Sequence, residues 1–117
     1  MALKLVFWCE DILEAIEHIR SFVDDQSFEN YLEDEMLRAA VERKLEIIGE
    51  AVSRIAKRDR AIAERISTHR QIVNFRNVLS HEYDVISYEQ VWKIVQNDLI
   101  ILRKEVEALL NELEQEQ

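Results

Sequence analysis

The sequence predicts an all-α protein: an up-and-down bundle of four main helices with one short extra helix. Two observations carry this expectation. The 117 residues include one glycine and no proline, whereas sheet-containing folds draw on both at turn after turn. Apolar residues make up 48% of the chain and recur in steps of three and four along its long segments, the repeat of a helix that buries one face. A chain of this length forms one domain, residues 1–117.

The first helix is read from Leu5, Cys9, Ile12, Ile16, Ile19 and Val23. The opening run "MALKLVFWCEDILEAI" belongs to it. Its apolar patch is too short for a membrane span, and no small-residue cleavage site follows. The helix is expected to end at "DDQS", with Ser27 capping the short piece "FENYLED". A third helix is predicted over Glu35–Lys57 on the stripe Leu37, Val41, Leu45, Ile48, Val52 and Ile55. It contains Gly49, which costs roughly 1 kcal/mol relative to alanine and is expected where another helix comes close.

Ala61–Ile66 suggests a short helix, and Ser67 or Thr68 suits the cap of another carrying Ile72, Phe75 and Leu79. "SYEQ" at Ser87–Gln90 is a capping box. The last helix is therefore expected from Tyr88 to Glu114. Its seam is Tyr88, Trp92, Val95, Leu99, Leu102, Val106, Leu109 and Leu113, widened by Val91, Ile94 and Ile101. Such a stripe buries more than one face and suits a dimer interface.

The lone cysteine, Cys9, excludes an intramolecular disulfide and a cysteine-built metal site, and fits a reducing cytoplasm. The net charge of −9 argues against general polyanion binding. Between Arg54 and His81, however, seven basic residues (Arg54, Lys57, Arg58, Arg60, Arg65, Arg70 and Arg76) face two acids (Asp59 and Glu64), an island of +5 in a chain that is otherwise −14. This marks a local anion site or, more plainly, a solvated basic face.

The island closes on "RNVLSHEY", Arg76–Tyr83. With Arg76 at zero on a helical wheel, Ser80 falls near ~40° and Tyr83 near ~−20°, but His81 lies at ~140°, closer to Asn77 at ~100°. To act together, Arg76 and His81 need a break before His81, the reach of the long arginine arm, or a second copy of the motif across a two-fold axis. Arginine is a permanent cation with a phosphate-matching fork, and histidine exchanges a proton near neutral pH. Together they suffice for RNA cleavage without a metal: one group takes the ribose 2′-hydroxyl proton, and the arginine stabilises charge growing on phosphorus. Asn77, Ser80 and Arg70 are candidates to hold phosphate beside them. The ordinary alternative is a helix end with polar side chains.

No HExxH pattern, serine elbow or glycine-rich phosphate loop is present, and His18, His69 and His81 lack metal-ligand spacing. No cofactor or metal is expected. The acids of "EQVWKIVQNDL" and "NELEQEQ" read as a solvated helix face, and Trp92 as core.

"DILEAIEHI", "RKLEIIGEAVSRI" with its "IGEA", and "FRNVLSHEYDVISYEQVWKIVQNDL" together resemble HEPN-domain proteins of the HepT-like group, the toxin halves of prokaryotic toxin–antitoxin pairs. The R-x4-H-x-Y signature is met by Arg76, His81 and Tyr83, with Asn77 as the family usually has it. The resemblance implies a helical bundle that dimerises with both motifs lining one cleft, and metal-independent ribonuclease activity. By the same resemblance Arg76 and His81 would be catalytic and Asn77 supporting. The implied partner is a minimal nucleotidyltransferase antitoxin that transfers AMP to Tyr83. A HEPN dimer that binds nucleotide or a partner without cutting RNA is the alternative, and a plain structural bundle a third. One departure is the stretch before the motif, which often carries Pro and Trp in the family and here reads "ERISTHRQIVNF".

Overall fold

A computed structural model describes residues 2–72 and 87–116. Every regular element among them is helical. α1 spans Ala2–Val23, α2 Phe28–Glu33, α3 Glu35–Arg58 and α4 Arg60–Glu64. Residues 69–72 are helical. The C-terminal rod is α5 (Tyr88–Lys93), a π-helical segment (Ile94–Asp98) and α6 (Leu99–Gln115) in continuous succession. The remainder of the fourth main helix expected from the sequence lies outside the described residues.

The bundle is organised around α1, which packs along α3 on one side and α6 on the other. The predicted stripes supply the core. Cys9, Ile12 and Ile19 of α1, Val41, Val52 and Ile55 of α3, and Leu102 and Val106 of α6 are all at 0% exposure. Val23 and Leu37, at the stripe ends, are partly buried against it. Gly49 is buried within α3 and its φ is not positive. What glycine contributes there is a missing side chain, not backbone freedom.

Caps place the element boundaries. The chain leaves α1 through Asp25 at φ 60°, a left-handed position that aspartate tolerates better than most residues. Ser27 Oγ then accepts the Asn30 N–H at 3.1 Å, as its sequence position suggests. Asp34 closes α2 and opens α3, its carboxylate accepting the Leu37 N–H at 3.0 Å. Asp59 does the same between α3 and α4, accepting the Ile62 N–H at 3.2 Å. Each junction is thus a single residue in extended conformation, which turns the chain sharply without proline.

The C-terminal rod differs from the uniform helix expected from Tyr88 to Glu114. Val91, Val95 and Leu99 are all buried, and they are spaced by four. On an ideal α-helix each such step drifts by ~40°. The wider π turn, with its i→i+5 bonding, takes up part of that drift and keeps them facing the core. Ile101, expected to widen the buried stripe, is instead 48% exposed beside Ile100 at 55%; α1 occupies only one side of α6, so the far side meets solvent. Among the described residues, no helix is long and apolar enough to cross a membrane.

Burial also determines the chemistry of Cys9. Its thiol is pushed up to about 11, first by desolvation and then by the neighbouring Glu10 carboxylate. Because the folded state resists ionisation, this group favours folding fully below its ordinary value near 9.0, and that contribution declines as pH rises from there through about 11. At pH 8 the native protein is expected to react with a disulfide-exchange reagent at a small fraction of the rate seen in denaturant. A thiol titrating fully within minutes in the native state would contradict this burial.

Candidate functional site

Arg76, Asn77, Ser80, His81 and Tyr83 lie outside the described residues. Arg70 is described: it is exposed, on the helical turn of residues 69–72. What the structure defines is how the chain enters and leaves the segment that carries the motif.

At entry, the C-terminal rod holds the turn after α4. Both carboxylate oxygens of Glu105 accept the Ser67 N–H, at 3.1 and 3.2 Å. Glu112 pairs with Arg65, an interaction that strengthens the guanidinium's hold on its proton. Of the two cap candidates, Ser67 donates its backbone N–H to Glu105, while Thr68 stands just before the helical turn, its carbonyl accepting the Ile72 N–H at 3.0 Å but its hydroxyl buried without a partner among the described residues. His69, 8% exposed, sits 3.1 Å from the Ile66 carbonyl through Nδ1. That carbonyl can only accept, so Nδ1 carries the proton. Nε2 is buried and unpartnered among the described residues.

The basic island is smaller in space than along the chain. Arg54 pairs with Glu50 at 3.1 Å and Arg65 with Glu112, both carboxylates from outside the island. Lys57 and Arg58 occupy the last turn of α3, where cations complement the helix dipole. Lys57, Arg58, Arg60 and Arg70 are exposed and have no ion pair with a described residue.

At exit, Ser87 Oγ accepts the Gln90 N–H at 3.3 Å, so the Ser87 half of the expected capping box is present. The next residue, Tyr88, enters an aromatic cluster built on α2. Tyr31 is fully buried, with Trp92 at 5.3 Å and Tyr88 edge-on at 6.3 Å between ring centroids. Phe28 lies 6.2 Å from Trp92. Arg38 of α3 reaches across: its guanidinium donates to the Tyr31 carbonyl at 3.2 Å and to the Leu32 carbonyl, and lies 4.8 Å over the Tyr88 ring. Burial, and then Glu42, push the Tyr31 hydroxyl well above its ordinary value; Glu42 is itself raised, chiefly by desolvation. Trp92 is half-buried in this cluster.

Arg38 and Glu105 were missed by sequence reasoning. Each is one charged residue among many on a helix, and nothing local marks it. Only the approach of Tyr88 and Ser67 from distant positions gives them their roles. Among the described residues, no group of three or more His, Cys, Asp or Glu side chains could hold a metal ion.

A family profile described as "Ribonuclease HepT-like" matches residues 12–109. Two curated relatives are similar over nearly their whole lengths. "Putative RNase MJ1380" of Methanocaldococcus jannaschii is 39% identical, covering 85% of this chain and 90% of its own. "Probable ribonuclease HepT" of Thermococcus cleftensis is 36% identical, covering 87% of this chain and 92% of its own. No solved structure matches the chain.

Proposed function

This chain belongs to the ribonuclease HepT-like family, and from that premise we propose that it is a metal-independent endoribonuclease, a single-domain toxin held in check by a nucleotidyltransferase antitoxin. The observation that carries the reading is the complete R-x4-H-x-Y sequence at Arg76, His81 and Tyr83, inside the matched region.

In this reading His81 removes the proton from a ribose 2′-hydroxyl. The 2′-oxygen attacks the adjacent phosphorus, the bond to the 5′-oxygen breaks, and that oxygen leaves with a proton. Arg76 stabilises the charge on the phosphoryl oxygens as it grows. Asn77, Ser80 and Arg70 hold the phosphate. The products are a 2′,3′-cyclic phosphate and a 5′-hydroxyl. Exposed Lys57, Arg58, Arg60 and Arg70 give the RNA backbone a cationic approach. A homodimer with both motifs in one cleft joins the Arg76 of one copy to the His81 of the other, which would answer the divergence that an ideal helix imposes on them. AMP placed on Tyr83 by the antitoxin adds bulk and negative charge beside Arg76, so the RNA phosphate is repelled. The protein acts in the cytoplasm, away from membranes.

The test is incubation of the purified chain with matched RNA and DNA oligonucleotides in the presence of chelator. Cleaved RNA with cyclic-phosphate ends, beside intact DNA, is expected. RNA left intact by the antitoxin-free protein would favour the second reading, a HEPN dimer that binds nucleotide or partner without catalysis.

A further inference from the structure

Tyr88 and Arg38 form a feature that the motif chemistry leaves unused. Tyr88 keeps 40% of its surface exposed although it joins the aromatic cluster through the edge-on contact with Tyr31. Arg38 is held over the Tyr88 ring by two carbonyl oxygens at the end of α2 and forms no ion pair with a described residue. Glu42, four residues on along α3, interacts with Arg38 electrostatically but is not in ion-pair contact with it. The result is a guanidinium fixed against a partly exposed aromatic ring. Tyr88 also follows His81 by seven residues, so the two lie within about 25 Å even for a fully extended chain.

We propose that Tyr88 and Arg38 form a stacking subsite for one unpaired base of a single-stranded RNA, a few nucleotides from the bond to be cut. Resting on the ribonuclease reading, this assigns to that site a preference for unpaired substrate. Single-stranded RNA is bound by stacking bases on aromatic rings and guanidinium planes, and every base offers a π-face. The exposed part of the Tyr88 ring takes the base, and Arg38 contributes attraction for the flanking phosphate. A base within a duplex is already stacked and cannot enter.

The test uses the full-length chain and a short single-stranded RNA with every 2′-hydroxyl methylated, which can bind but cannot be cyclised. The affinity of Tyr88→Leu is expected to fall about tenfold, with Tyr88→Phe close to wild type. With an abasic site moved through the RNA, the Tyr88→Leu defect should vanish at one position. Because Tyr88 also packs on Tyr31, Arg38→Gln serves as a second variant that keeps the ring; it should bind a few-fold more weakly, with a shallower salt dependence. Wild-type affinity in both Tyr88→Leu and Arg38→Gln, or a Tyr88→Leu loss that ignores which base is missing, overturns the subsite alone. Wild-type protein that binds this RNA but leaves unmethylated RNA uncut overturns catalysis and leaves the subsite standing. No binding by wild type overturns both.

Discussion

Alanine at either Arg76 or His81 is expected to slow RNA cleavage by about two to four orders of magnitude, with the helical signal and melting temperature unchanged. The figure follows from the roles. A positioned general base contributes about 10²–10⁴-fold, and loss of one donor stabilising a developing anion costs about 10²–10³-fold. Residues that act as one unit do not add, so the double variant should fall little below the worse single one. Arg76→Lys separates charge from shape: an ammonium keeps the cation and loses the planar fork, so an intermediate rate is expected. The measurement is single-turnover cleavage of a labelled RNA at saturating protein. Rates within a few-fold of wild type for both alanine variants would remove the motif from the chemistry.

Truncation of Tyr31 to alanine is expected to destabilise the fold by about 3–5 kcal/mol, the range for deleting a buried large aromatic side chain. Tyr31 is at 0% exposure, between Trp92 and Tyr88, and joins α2 to the start of the C-terminal rod. Tyr31→Phe should behave oppositely. The hydroxyl is buried without a partner among the described residues, so removing it relieves a desolvation penalty of about 1–3 kcal/mol instead of breaking a bond. Urea denaturation of both variants checks the pair. A Tyr31→Phe variant more than about 1 kcal/mol less stable than wild type would mean the hydroxyl has a partner after all.

The helical class and most of the core were legible in the sequence for a simple reason: burial on one face imposes a period, and the period is local. All six positions read for α1 are buried or partly buried, and Ser27 and Ser87 cap where their spacing suggests, because a cap bond spans only three residues. Phase along the C-terminal rod was less legible. Its residues are spaced correctly, but the π turn at Ile94–Asp98 and the exposure of Ile101 depend on where α1 lies against it.

Charge was the least legible property. Composition and chain order locate a basic island and the R-x4-H-x-Y motif, and these suggest the class of chemistry proposed. They cannot show that Glu112 neutralises Arg65 from 47 residues away, or that Glu105 holds the Ser67 amide from 38 residues away. Nor can they show that Arg38 is carried over Tyr88 by the carbonyls of α2. Periodicity, caps and motif are properties of neighbours along the chain, so the sequence alone determined them. Which cations are paired with a distant carboxylate, and which aromatic ring lies beside a cation, was decided only by tertiary structure, because electrostatic pairing and stacking act through distance in space.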